Sequence, residues 1–394
     1  MKIKTITCHD VNNFGASLQA YALSFYLSQL GHDVEVINYM PKYLSVQKSF
    51  FFIGKKWKRN FILRLIFYCY VVPIRLIEYR SRQNFYYFLE KYVKRTKRYT
   101  DLGQLKKDIP SADVSFCGSD QIWNTMMENG KDPAFYLDFY NGTSCIKASY
   151  AASFATKEVD SLYKDFVREK VSNLDFISVR EKSALGILEE LGIYNGLNVI
   201  DPVFLPSEEH WSTLTEKVKY KKYILVYDQE MSESIKYVVK ELSKKYSLKI
   251  IAIRTLYPML YADKQILTAG PIQFISLIKN ATFVVSNSFH CMSFSLIFQR
   301  NFLIVPRDTQ KVNSRMMDLL EYLDIKDHFL SNINSWDKVS NINYENVASK
   351  LKSLKKSSYN YIDSVLEYAK MTKEKNLGKN SNSVLSDISM RRKV

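Results

Sequence analysis

The sequence predicts an α/β protein of two domains facing each other across a cleft, with a basic helical insert in the first. Three observations carry that expectation. The chain has 394 residues, 46% of them apolar and 24% charged, which suits two domains that each bury a core. Residues 1–39 alternate strand, polar loop with glycine, helix and strand, the pattern of a parallel βαβ unit. The alternation pauses at a proline-containing stretch, DPVFLPSEEHW, and restarts beyond it. Both halves are therefore expected to be Rossmann-like.

In chain order, Lys2–Thr7 is a short strand followed by the loop HDVNNFG. ASLQAYALSFYLSQLG is a helix, with Leu23, Leu27 and Leu30 on one face and Gly31 at its stop. DVEVINY is the next strand. Past the basic segment, strands are expected at Ala112–Cys117, Ile146–Ala151 and Phe176–Val179, ending in GSDQIWN, AASFA and REKSA. SALGILEELG is a helix, and Val199-Ile200 leads into the prolines that mark the boundary. Beyond it come strand Tyr223–Tyr227, helix Glu233–Tyr246, strand Lys249–Ile253, a helix opened by Pro271, strand Thr282–Ser286, a helix from SNSFH and strand Asn301–Val305. Helices follow at 313–323 and 344–370. The expected division is 1–205, 206–340, helices in 341–370 and a loose polar tail, 371–394.

The charge is uneven. Lys and Arg number 56 against 40 Asp and Glu, a net of +16. Residues 41–100 hold 15 basic and 2 acidic residues, so this segment alone carries +13. Its aromatic and long aliphatic residues alternate with cations, which suits a solvated helix pair or peripheral contact with an anionic membrane. No nucleic-acid motif accompanies it, and no nucleic-acid partner is expected. The run 61–77 is broken by Arg64, Pro73 and Arg75, against a spanning helix. Five scattered cysteines without a CxxC pair fit a reducing cytoplasm, and no apolar leader follows MKIKTIT.

The sharpest chemical constellation is SNSFH, residues 286–290, where an apolar strand meets a helix. Ser286 and Ser288 can cap that helix and leave its amides to an anion, with His290 as donor or proton carrier. A capping cluster with a satisfied histidine is the structural alternative. No Asp or Glu occurs from Gly270 through Arg307, which suits a densely anionic ligand; Arg300, Arg307, Lys311 and Arg315 follow as cations. Arg180 stands at a strand tip, where a guanidinium grips a carboxylate or phosphate, or pairs with Glu181 or Glu189. Asn12, Asn13 and Gly15 form a turn suited to close approach of a ligand. GSDQIWN offers Ser119 and, as a base or a helix cap, Asp120. Cys291 beside His290 is a weaker candidate nucleophile.

Taken in order, HDVNNFGASLQAYAL, FCGSDQIWN, AASF, SVREKSA, DPVFLPSEEHW, GPIQFISLIKNATFVVSNSFH and NSRMMDLLEYLDI resemble the polysaccharide pyruvyl transferase family over about residues 1–325. The resemblance implies two Rossmann-like domains of GT-B type. It implies transfer of pyruvate from phosphoenolpyruvate to two sugar hydroxyls, forming a cyclic ketal and releasing phosphate. It assigns the donor site to Arg180 and His290, with Lys311 as the nearest match to a family lysine, one residue out of register. The expected roles are His290 as phosphate ligand or general acid, Arg180 as anion clamp and Asp120 as base. Asn12, Asn13, Gly15, Ser119, Ser286, Ser288, Lys311 and Arg315 are expected to bind substrate. Phosphoenolpyruvate is the donor, with no cofactor and no metal, and the acceptor is a sugar, such as a lipid-linked precursor at the inner face of the cytoplasmic membrane. Two residues depart from the family pattern: Cys291 and Ala155 stand where it usually has glycine. A glycosyltransferase using a nucleotide sugar, or a non-catalytic scaffold of capsule assembly, is the competing expectation.

Overall fold

A computed structural model describes residues 1–44, 60–156, 158–253, 258–307 and 313–391. The start of the basic segment, 45–59, and Lys311 lie outside these.

Strands β1 (Lys2–Ile6), β2 (Asp33–Tyr39), β3 (Arg95–Tyr99), β4 (Val114–Cys117) and β5 (Ile146–Ser149) form a parallel sheet in the order β3-β2-β1-β4-β5. Strands β6 (Ile177–Val179) and β7 (Gly196–Asn198) extend it through bridges Ala148–Phe176 and Ala152–Val179. The second domain repeats the topology. Strands β8 (Tyr223–Tyr227), β9 (Lys249–Ile253), β10 (Lys264–Ile266), β11 (Phe283–Ser286) and β12 (Asn301–Ile304) run β10-β9-β8-β11-β12, all parallel. Near-continuous apolar strands such as YILVY are buried on both faces, as a helix-covered parallel sheet requires.

The helices used below are α1 (Phe14–Gln29), α2 (Phe61–Ile66), α3 (Val72–Tyr92), α4 (Ser183–Glu190), α5 (Pro271–Asn280), α6 (Phe289–Ile297), α7 (Ser314–Tyr322) and α8 (Tyr344–Arg391). A π-turn, Phe67–Val71, joins α2 to α3, just ahead of Pro73, which has no N–H for the regular ladder.

Three features differ from the sequence reading. The basic segment is not purely an insert, because its end, RTKRY, is edge strand β3; alternation there is hidden by the cations that keep an edge soluble. Strand β7, Gly196–Asn198, lies where no strand is expected; Val199 and Ile200 just beyond it enter the core as the chain turns toward Asp201. Helix α8 continues through Arg391 where a loose tail is expected from 371; no proline follows Pro306 to stop it.

Helix α8 ties the domains together. Val347 and Leu351 pack with the second domain, whereas Ile362, Val365 and Leu366 pack under β1 and β4 of the first. The Tyr361 hydroxyl donates to the Ser149 carbonyl at 2.6 Å. One apolar cluster also crosses the seam between domains, where Phe14 stacks on Phe274 at 4.4 Å and meets Phe85 at 5.0 Å.

Candidate active site

Each sheet reverses its winding beside its first strand, and open α/β sheets leave a crevice at the carboxyl ends of the strands there. In the first domain β4 ends in Gly118-Ser119-Asp120, and β6 ends in Arg180. In the second, β11 ends in Asn287-Ser288, and His290 opens α6. The Ser288 hydroxyl caps α6 by accepting from the Cys291 amide at 3.5 Å. The Ser286 hydroxyl donates to the Tyr227 carbonyl and accepts from the Ser288 amide, locking the turn from strand to helix.

These ends meet. Arg180 Nη1 donates to Asp201 Oδ2 at 2.8 Å, and His290 Nε2 lies 3.5 Å from the same oxygen. Arg180 Nη2 reaches Asp120 Oδ1 at 3.5 Å, and Arg315 Nη1 on α7 lies 3.8 Å from it. With the Gln121 amide oxygen turned toward it, Arg315 also donates to Gln121 at 3.0 and 3.1 Å. The guanidiniums of Arg180 and Arg315 lie over the Phe289 ring, at 4.8 and 5.4 Å from its centroid. From the second domain Asp318 accepts the Ser183 amide at 3.0 Å, capping α4 just beyond Arg180. The Arg180 side chain is 1% exposed and that of His290 8%, so both lie inside a closed seam.

Gly15 explains the seam's tightness. A methyl built on its Cα would sit 1.9 Å from His290 Nδ1. Gly15 is thus where α1 admits the imidazole rather than a ligand. Gly15→Ala is expected to push His290 off its seat and, on the role proposed for His290 below, to lower turnover by roughly 10²-fold, as a shift of about 1 Å in a reacting group does. Steady-state kinetics on the folded variant, verified by circular dichroism, checks this.

The remaining candidates divide. Asn12 and Asn13 are exposed at the mouth of the loop, and Asn13 caps α1 by accepting from the Ala16 amide at 3.3 Å. Ser119 is buried behind the site; its hydroxyl donates to the Ala151 carbonyl at 2.8 Å and its amide to Gln19 at 3.1 Å. Arg300 sits at the far end of the sheet, donating to the Phe298 carbonyl. Arg307 donates to the Asn287 carbonyl at 3.1 Å, beside the start of α6. Cys291 packs in the core, and burial pushes its thiol up to about 12, which leaves no thiolate for attack.

Asp201 is the residue the sequence reading missed. DPVFLP looks like a linker, yet its aspartate is buried, accepts from the Val203 amide at 3.1 Å and joins Arg180 to His290. The Asp-Pro helix-cap pattern was the available signal. Asp228 was missed too. The acid-free window 270–307 does not leave SNSFH without a carboxylate, because Asp228 at the end of β8 accepts from Asn287 Nδ2 at 2.8 Å.

Burial alone would raise the Asp120 carboxyl, but attraction by Arg180, then His290 and Arg315, holds it below the ordinary carboxylate value. Asp201 is likewise held well below that value, with His290 and then Arg180 outweighing burial. A carboxylate so depressed is a weak base, and Asp120 here is a fixed anion between two guanidiniums. Arg315 is pushed down to about 9, first by burial and then by Arg180. A guanidinium keeps its proton in proteins, so Arg315 stays a buried cation, with Asp120 as its carboxylate neighbour. Three buried polar atoms of the cluster lack a close hydrogen-bond partner: Arg315 Nε, Arg180 Nε, which has Glu181 Oε2 at 3.9 Å, and His290 Nε2, which has Asp201 Oδ2 at 3.5 Å. Among the described residues no His, Cys, Asp or Glu group is arranged to hold a metal.

Ala155, at the position where the resembled family usually has glycine, has φ +58°, in the left-handed region that favours glycine. Its amide donates to Glu181 Oε1 at 3.0 Å, so the turn fixes the carboxylate next to Arg180.

A sequence model of the family described as polysaccharide pyruvyl transferase matches residues 13–309. Among solved structures, a UDP-N-acetylglucosamine 2-epimerase from Rickettsia bellii superposes with a TM-score of 0.51 at 11% identity, covering 94% of this chain and 97% of that one. A protein assigned to the same activity from Listeria monocytogenes gives 0.52 at 12% identity, covering 94% and 90%. At these identities the likeness concerns the fold, which is of GT-B type, two Rossmann-like domains. Comparison with curated proteins finds no match.

Proposed function

The chain belongs to the polysaccharide pyruvyl transferase family, and from that premise we propose that it transfers pyruvate from phosphoenolpyruvate to two hydroxyls of a sugar, forming a cyclic ketal. The observation that carries this reading is the pair of buried guanidiniums, Arg180 and Arg315, each with an Nε that has no hydrogen-bond acceptor, beside His290 at the start of α6. Phosphoenolpyruvate offers a phosphate and a carboxylate, acceptor-only groups that answer such donors.

In this reading Arg180 and Arg315 grip the donor's anionic groups, with the start of α6 beside them. His290, as imidazolium facing Asp201, gives its proton to the methylene carbon, which becomes the methyl group. The C2 centre takes on oxocarbenium character, and the first sugar hydroxyl adds there. The second hydroxyl displaces phosphate by breaking the C2–O bond. Of the two hydroxyl protons, one restores His290 and the other leaves with phosphate. Asp201 orients the imidazole and stabilises its charged form. Because the donors are enclosed, the lobes must part for substrate to reach them.

A thermal-shift comparison tests the assignment. Phosphoenolpyruvate at 100 times its Kd is expected to stabilise the protein by about 2.7 kcal/mol, and a nucleoside diphosphate to do nothing. Phosphate release should then require an acceptor glycan bearing a free diol. Stabilisation by the nucleotide alone would assign the cleft to a sugar-nucleotide enzyme instead.

A further inference from the structure

The helical segment 60–92 carries a second apolar face that the active site does not use. Its inner face is spent on the fold: Phe85, Phe88 and Leu89 are buried with α1 and α5, and Asn84 Nδ2 donates to the Thr268 carbonyl at 2.6 Å across the seam. Its outer face is solvent-facing. Phe61, Leu65, Tyr68, Leu76, Tyr79 and Tyr86 are all exposed, Phe61 by 78%. They follow one another at steps of 4, 3, 8, 3 and 7 residues, multiples of a helical turn, so they form one stripe along α2, the π-turn and α3. A soluble helix at those positions ordinarily carries polar residues.

Cations border the stripe. Arg64, Arg80 and Lys91 are exposed, Arg82 is half-buried, and Arg75 lies over the Phe67 ring at 5.0 Å. Residues 60–92 hold five basic and two acidic residues, a net of +3. No described helix is long and apolar enough to cross a membrane. An apolar, tyrosine-rich stripe flanked by arginines, with too little hydrophobic length to span, has the chemistry of an element that lies in a lipid–water interface.

We propose that the outer face of α2 and α3 docks the protein on an anionic lipid bilayer. The claim does not depend on the reaction assigned to the cleft. It bears on the cleft through geometry, because the same helix sets Phe85 against Phe14, the neighbour of the Gly15 on which His290 rests. Docking by this face holds the seam beside the membrane, where an acceptor carried on a lipid is within reach.

Flotation of the full-length protein tests this, with vesicles of phosphatidylcholine alone and of phosphatidylcholine mixed with phosphatidylglycerol. The protein should float with the mixed vesicles only, and less so in high salt. Each arginine reversed in the pair Arg80→Glu and Arg82→Glu should lower partitioning by roughly fivefold. The triple change Phe61→Ser, Leu65→Ser, Tyr68→Ser should abolish it while leaving phosphate release from soluble substrates unchanged, since none of these side chains enters the core. Cys69, the one exposed cysteine of the five, offers an independent readout: an environment-sensitive dye there should shift to the blue with mixed vesicles. Failure to float, equal flotation with neutral vesicles, or flotation indifferent to these substitutions would overturn the proposal. So would self-association in solution that the triple change abolishes, which would make the stripe a contact between copies.

Discussion

Replacing His290 by Gln is expected to slow phosphate release from phosphoenolpyruvate by roughly 10²–10⁴-fold, the usual worth of a general acid. The side chain lies within 3.5 Å of Asp201 and is almost enclosed, so the volume-conserving change should leave the fold intact. Glutamine retains a donor but cannot relay a proton at neutral pH. Arg180 and Arg315 remain to hold the anion, so the thermal shift with phosphoenolpyruvate should survive. The split between kcat and KM decides the role. A fall in kcat at unchanged KM identifies a group that acts in the transition state, whereas a raised KM at unchanged kcat makes His290 a phosphate ligand only. Turnover unchanged in both parameters would remove His290 from the mechanism and, with it, the functional weight of the Gly15 contact.

How much of this was legible beforehand follows from what local sequence encodes. Tyr223–Tyr227, Glu233–Tyr246 and Lys249–Ile253 agree with the expected spans to the residue, because burial on both faces of a strand and one face of a helix writes itself into apolar periodicity. Strand β3 did not, since an edge strand of cations has no such period. In the site, Arg180, His290 and Asp120 were recognisable as residues at element ends and Arg315 only as one of four cations around the acid-free window; the structure brings the four together. Their partners were not. Asp201 lies 21 residues from Arg180 and in the opposite domain from His290, and nothing in its local pattern separates a cap in a linker from a hub of charge. Ser119 shows the converse error: a polar residue in a motif was read as ligand-facing, whereas its hydrogen bonds hold the loop from behind. Of the local alternatives expected for Arg180, the pair with Glu181 is present, Nε lying 3.9 Å from its Oε2, while the other carboxylate partners come from β4 and the interdomain turn.

Arg180→Met is expected to be the most damaging single change, and its pH dependence should run opposite to that of the natural protein. Asp201 and Asp120 both have carboxyls held below their ordinary value of 3.8. In the natural protein such groups contribute stability that is complete above about pH 5 and is lost as pH falls through the depressed folded values. Removing the guanidinium leaves two buried carboxylates and Glu181 without their shared cation, a loss of about 3–5 kcal/mol for a broken buried pair. Burial then dominates Asp120, whose folded value moves above the unfolded one. The folded variant now binds more protons than the unfolded chain just above pH 4, so its stability should rise as pH falls through that window. Urea unfolding of the variant and of the natural protein at pH 5 and pH 4 reads the difference in sign. The double change Arg180→Met, Asp201→Asn separates architecture from function: removing one stranded charge should restore part of the stability but none of the response to phosphoenolpyruvate. Recovery of both would reduce Arg180 to a structural counter-ion and leave Arg315 alone to hold the anion.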